Sequence, residues 1–179
     1  MTRIMIIGSG GSGKSTFAAE LGKLTQLPVY HLDAYYWRSG WVPTPNEEWD
    51  RFLEELVVQD EWIIDGNYGR TLEVRMKRSD VIMYFDLSPW ITTYRVIKRR
   101  ITYHGKTRPD LQGGCPEKLD WEFLKWVWNF RRTRRPGILE KLRLYGTGKN
   151  IIIFNHVKEV RELLRAVREN GVGYFQINR

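Results

Sequence analysis

Residues 8–16 read Gly8-Ser9-Gly10-Gly11-Ser12-Gly13-Lys14-Ser15-Thr16, which fits G-x-x-x-x-G-K-[ST] at every fixed position. These residue types suit one kind of chemistry, the binding of phosphates. Glycines let the backbone turn at positive φ and aim successive N–H groups inward, making a concavity for anions. Lys14 supplies a charge for the β- and γ-phosphates of a nucleotide, and the Ser15 hydroxyl can ligate Mg²⁺. Thr16 adds a hydroxyl toward the α-phosphate. The stretch therefore predicts a P-loop binding ATP with Mg²⁺. Further on, Asp33, Asp65 and Asp86 each close a segment that reads as a strand. A carboxylate there is either a turn former or a functional group. Beside a phosphate loop, Asp33 and Asp65 weigh toward function.

These residues need elements to position them. Ile4, Ile6 and Ile7 before the loop read as a buried strand, and Phe17, Leu21 and Leu24 after it recur on one helical face. Further strands are expected at 29–32, 62–64, 81–85 and 151–154. A helix should start near Thr44, which can cap it. Pro45 then takes the first position and Glu47 completes a capping box. Trp49, Phe52, Leu53, Leu56 and Val57 form its apolar stripe. Residues 90–101 read as a basic helix, 102–116 as a loop, and 117–135 as a long helix that stops at Pro136. Val160, Leu163, Leu164 and Val167 mark a last helix. Continuous Val/Ile/Phe strands alternating with helices imply a parallel sheet covered on both faces, with ligands at the carboxyl ends of the strands.

Composition bounds the rest. The 179 residues are 42% hydrophobic and 28% charged, an ordinary globular balance for one domain, 1–179. No apolar run approaches the ~20 residues of a membrane helix, so no membrane partner and a cytoplasmic location are expected. Cys115 is the only cysteine, which excludes an intrachain disulfide and a four-cysteine zinc site and reads as a reduced bystander. The net charge of +8 is regional: residues 94–149 hold 15 Lys+Arg against 5 Asp+Glu. That segment suits a polyanion, either nucleotide phosphates or a nucleic acid.

Trp121, Leu124 and Trp128 fall at i, i+3 and i+7 and are expected in the core. Trp37 and Trp41 lie in a loop just past Asp33, where stacking on a substrate is the alternative to packing. His31, His104 and His156 lack metal-ligand spacing.

The segment GSGGSGKSTFAAELGKLTQLPVYHLD resembles the opening of adenylate-kinase-like enzymes. IIDGNYGRT resembles their third strand with its Asp-Gly, and DLSPWITTYRVIKRR their fourth strand and the arginines before the lid. HLDAYYW, WIIDGNY and RPDL resemble the bacterial DNA topology modulation proteins (FlaR-like), a branch of adenylate-kinase-related P-loop proteins. DAYYW is also similar to the D-x-[FY]-Y of uridine-kinase-like enzymes, whose Asp takes a proton from a substrate hydroxyl. The chain differs from adenylate kinases in reading DGNYGR where they have Pro-Arg, which puts Arg70 one step later.

The resemblance implies a three-layer α/β/α P-loop NTPase fold with a five-stranded parallel sheet and a helical, basic lid at about 100–135. It implies a kinase acting on a nucleoside, nucleotide or other hydroxyl compound. Lys14 would hold the γ-phosphate, Asp33 would receive the acceptor's proton, and Asp65 would hold Mg²⁺ with Ser15 or fix its own turn. Arg70 would grip the acceptor or its phosphate. Arg99 or Arg100 would contact ATP, and Arg131 or another of Arg132, Arg134 and Arg135 would close on the transferred phosphate. The family name adds an alternative: a DNA-binding protein in which ATP binding is regulatory or vestigial.

Overall fold

The computed structural model describes residues 2–103, 115 and 120–177. Five parallel strands, β1 (Thr2–Gly8), β2 (Val29–His31), β3 (Glu61–Asp65), β4 (Val81–Phe85) and β5 (Asn150–Phe154), form one sheet in the order β2-β3-β1-β4-β5. Side chains alternate across the sheet, as strand geometry requires. Ile4 and Ile6 join Phe17, Leu21, Met83, Phe154 and Leu163 on one face. Met5 and Ile7 join Trp49, Leu53, Ile64, Tyr84 and Leu142 on the other. Burying each such side chain stabilises by about 1.5–3 kcal/mol.

Two helical layers supply these partners. α1 (Lys14–Thr25), α8 (Val157–Asn170) and the short α9 (Tyr174–Ile177) cover one face. α3 (Asn46–Val57), α4 (Leu72–Arg78) and α7 (Arg135–Tyr145) cover the other. α5 (Pro89–Thr102) and α6 (Trp121–Thr133) stand at the carboxyl end of the sheet and pack on each other through Val96, Leu124 and Val127. This is the expected three-layer α/β/α arrangement. Among the described residues no helix is long and apolar enough to cross a membrane.

Several local expectations are corrected. The second strand stops at His31, because Leu32 is fully buried and opens a five-residue helix, α2 (Leu32–Tyr36). Asp33 therefore sits in the first turn of α2 rather than at a strand end. Thr44 does not cap α3; its Oγ1 donates to the carbonyls of Tyr35 and Tyr36, and Pro45 takes the cap position. The helix expected over 117–135 begins, within the described residues, at Trp121 and breaks at Arg134. Pro136 then lies in the first turn of α7, a helix the sequence reading did not assign. Proline is tolerated there because the first-turn N–H groups have no helical partner. The core face of α6 is Leu124, Val127 and Phe130, while Trp121 is 67% and Trp128 41% exposed. Trp128 instead meets Trp90 of α5 edge-to-face at 4.6 Å. Most of the loop expected at 102–116, with His104, lies outside the described residues. Cys115 is free and buried, its thiol 3.2 Å from the Arg38 carbonyl.

Candidate functional site

The loop between β1 and α1 builds the first wall. Gly13 caps α1 at φ 92°, a left-handed conformation that glycine adopts without strain. Gly13 brings no side chain to cap α1, and Gly13, Lys14 and Ser15, at the positive dipole end of the helix, line the cleft. Lys14 Nζ donates to the Ser9 carbonyl at 3.4 Å, folding the ammonium over the loop. The Ser9 and Ser12 hydroxyls are buried without a hydrogen-bond partner among the described residues.

α5 and α6 form the facing wall. Arg95 Nη1 donates to the Ser12 carbonyl at 3.1 Å, and Arg99 lies one turn further along α5. Both line the cleft. Phe123 and Val127 of α6 press onto Gly10 so closely that a Cβ there would meet Phe123 Cζ at 2.7 Å. A side chain at position 10 would require the Phe123 ring to shift.

The resulting cleft measures about 1100 Å³. At one end Val157, Val160 and Leu164 of α8 give it an apolar lining. At the other it is lined by His31, Asp33, Trp37, Trp41, Asn67 and Tyr68. Asp65 stands between. β3 runs beside both β1 and β2, which pairs Asp65 with Ile6 and with His31. His31 Nδ1 lies 3.1 Å from Asp65 Oδ2, and the Asp65 side chain is 4% exposed. Burial pushes the Asp65 carboxyl up. The His31 hydrogen bond, the Lys14 charge and the nearby Ser15 hydroxyl outweigh it and hold the group below the usual carboxylate range. Asp65 Oδ1 is buried without a hydrogen-bond partner among the described residues.

Tyr68 Oη donates to Asp33 Oδ1 at 2.7 Å. Burial, then the Asp33 charge, push the Tyr68 phenol far above its ordinary value, so it stays a neutral donor. The loop carrying Tyr68 is fixed from beneath by Arg75, a fully buried guanidinium that donates to the carbonyls of Gly66 and Tyr68, each at 2.8 Å. Burial pushes Arg75 down to about 9, which leaves it charged at pH 7.

The structure thus brings Gly8, Gly10, Gly11, Ser12, Gly13, Lys14, Ser15, Thr16, Asp33, Asp65 and Arg99 around one cleft. It places two other sequence candidates elsewhere. Arg70 lies on the surface, its guanidinium on the Asp50 carboxylate at 2.6–2.9 Å. Arg131 is held by Asp86 at 3.1 Å, and Arg135 of α7 grips the same carboxylate at 2.6 Å. Neither lines the cleft. Asp86, nearly buried just past β4, anchors α6 and α7 to the sheet. His156 caps α8, with Glu159 completing a capping box. The sequence reading gave no role to Arg95, Asn67 or Tyr68. Arg95 was legible, since it sits four residues before Arg99 and so shares its helix face. Tyr68 carried no such signal, because its reach to Asp33 depends on the β2–β3 pairing.

Magnesium fits these residues. Among them no cluster of three or more His, Cys, Asp and Glu forms. Mg²⁺, however, takes one or two carboxylates with waters and substrate phosphates rather than a protein cage. The unpartnered Asp65 Oδ1 and the Ser15 hydroxyl supply that donor chemistry.

No family model and no curated protein matches the chain. Solved structures match it along nearly its whole length. A shikimate kinase from Acinetobacter baumannii, solved with shikimate, is 19% identical with a TM-score of 0.58, over 93% of this chain and 90% of that one. The shikimate kinase of Bacteroides thetaiotaomicron is 19% identical with a TM-score of 0.51, over 94% and 96%. The YorR protein of Bacillus subtilis, in complex with phosphorylated GDP, is 16% identical with a TM-score of 0.54, over 92% of each chain. At such identities the likeness shows the fold. The chain is a P-loop protein with a kinase-like α/β/α fold.

Proposed function

We propose that this chain is an ATP- and Mg²⁺-dependent kinase of a small molecule, moving the γ-phosphoryl group to an acceptor hydroxyl. The observation that carries this is the continuity of one cleft from the phosphate loop to Asp33. Transfer to a hydroxyl calls for a group that takes its proton, and Asp33 lines the same cleft as the phosphate loop.

The nucleotide phosphates would lie along residues 8–16, with the base against Val157, Val160 and Leu164. Mg²⁺, held by Ser15 and through water by Asp65, would neutralise charge on the β- and γ-phosphates. An acceptor hydroxyl at Asp33 gives its proton to that carboxylate while its oxygen bonds to the γ-phosphorus. The bond from the γ-phosphorus to the bridging oxygen breaks, and ADP leaves with that oxygen. Lys14, Arg95 and Arg99 oppose the charge that builds on the transferred group. Phe123 and Trp126 exclude water from above, which favours the acceptor over hydrolysis. Arg70 or Arg131 could join only after leaving Asp50 or Asp86.

The test is ADP release with Mg·ATP against a panel of hydroxyl compounds, for the wild type, Lys14→Ala and Asp33→Asn. Stimulation by one compound, lost in both variants while Asp33→Asn still binds Mg·ATP, is the expected result. Equal release with and without every compound would refute the proposal.

A second reading, binding of a nucleic acid by the basic 94–149 segment, is supported by exposed Trp90, Tyr94, Trp121 and Trp128 on and beside that segment. Aromatic rings among cations suit single strands.

A further inference from the structure

We infer that Trp37 and Trp41 form an indole corner that selects the acceptor, and that the acceptor is an alcohol carrying a flat ring. The inference rests on the kinase reading and narrows it.

The corner is built at a cost. α2 ends at Tyr36 and the chain turns at once into a two-stranded ribbon, Trp37–Arg38 against Val42–Pro43. The turn between them puts Trp41 at φ 65°, a left-handed backbone that bulky residues rarely adopt. Such a conformation persists only where its surroundings over-determine it, and it concentrates at ligand-binding sites. Its outcome here is specific. The Trp37 and Trp41 rings stand 5.7 Å apart at 69°, and both line the acceptor end of the cleft.

The corner is also anchored. Trp37 meets Tyr36 edge-on at 4.9 Å, and Tyr36 meets buried Trp49 edge-on at 5.0 Å. Thr44 closes the ribbon onto α2 through its backbone N–H and its hydroxyl, both on the Tyr36 carbonyl. Tyr36 further packs on Tyr68 at 4.6 Å, and Tyr68 holds Asp33. One tyrosine pair thus fixes both the indoles and the candidate base, which preorganises them relative to each other. Two indoles set nearly at right angles offer one face and one edge. A flat ring fills that shape, offset-stacked on one indole and edge-to-face with the other. A flexible chain-like alcohol would leave it unfilled. The ring's hydroxyl would then rest at Asp33.

The panel sets flat rings against other shapes: a purine nucleoside and a pyrimidine nucleoside, with shikimate, whose ring is not flat, and the acyclic polyols glycerol and ribitol as the alternatives. Binding is read by ligand-observed NMR without ATP, and kcat/KM with Mg·ATP. Trp41→Gly removes the ring while suiting the φ of 65°, and Trp37→Leu keeps an apolar filler. Ring stacking is worth about 1–3 kcal/mol, which is roughly 5- to 150-fold. We expect one nucleoside to bind the wild type, each variant to weaken it by that range through KM, and Mg·ATP affinity to hold. Preference for shikimate or the acyclic polyols, binding of neither nucleoside, or nucleoside binding that neither variant weakens would overturn the inference. Failure of the kinase reading looks different: ring compounds bind in a Trp41-dependent way but never accept phosphate.

Discussion

Asp33 is oriented by a neighbour that the chain places 35 residues away. Tyr68 donates to one carboxylate oxygen and, held well above its ordinary value, keeps its proton at any ordinary pH. That bond limits the directions in which the Asp33 carboxylate can turn. A hydrogen bond to a charged group is worth about 1.5–3 kcal/mol. Tyr68→Phe should therefore lower kcat/KM for the acceptor by roughly 10- to 100-fold while Mg·ATP affinity holds, measured by steady-state kinetics and calorimetric titration. Asp33→Asn should cost more, about 10²- to 10⁴-fold in kcat, the usual worth of general base catalysis. Lys14→Ala should instead weaken nucleotide binding itself. Equal losses in all three would argue against this division of roles. At this scale the phosphate half was legible in the sequence, because its chemistry depends on local spacing. The acceptor half was legible only as isolated residues, Asp33 and the two tryptophans, since Tyr68 and His31 reach their partners through strand pairing.

At the scale of elements, side chains at the strand ends decide which helices stay in place. Asp86 holds both α6 and α7, and α6 in turn covers Gly10. Breaking a buried pair costs about 3–5 kcal/mol, but both arginines are about two-fifths exposed, so about 1–3 kcal/mol is expected. Asp86→Asn should lower the urea midpoint by that amount with an unchanged slope. α8 is held differently. Glu159 Oε2 accepts from the backbone N–H groups of Asn155 and His156 at 2.7 and 3.0 Å. These bonds, the His156 N–H first, hold its carboxyl below the usual glutamate value. The group therefore stabilises the fold fully above its unfolded value of about 4.3 and loses that contribution as pH falls further. Glu159→Gln should be less stable than wild type at pH 7, and the gap should shrink between about pH 5 and 3, read from thermal midpoints. Sequence periodicity found the strands and the faces of α1, α3 and α8. It misread Thr44, whose hydroxyl serves the end of α2. It also misread Pro136, which opens a helix where it was expected to end one. Both depend on tertiary neighbours that local spacing does not contain.

At the scale of the whole molecule, the parallel sheet places the cleft at its carboxyl edge, with the basic excess beside it. β1 has β3 on one side and β4 on the other, so the chain's direction of winding reverses there and a crevice opens above it. The strand–helix alternation implied a parallel sheet but not this order of its strands. The regional charge of residues 94–149 has two consumers: Arg95 and Arg99 face the cleft, while Trp90 and Tyr94 stand outside. If the outer face serves nucleic acid, affinity for a single strand should fall with salt at a log–log slope of about −0.7 per phosphate contact, and Trp90→Ala should weaken it. Binding that vanishes near physiological salt and ignores Trp90 would leave only general attraction to a basic surface. The central claim, transfer of a phosphoryl group, is tested most directly by incubating the protein with ATP labelled at the γ-phosphate and a mixture of small hydroxyl metabolites. Label is expected in an organic phosphate ester, absent with Asp33→Asn and with Lys14→Ala. Label recovered solely as inorganic phosphate, at a rate that Asp33→Asn leaves unchanged, would contradict it.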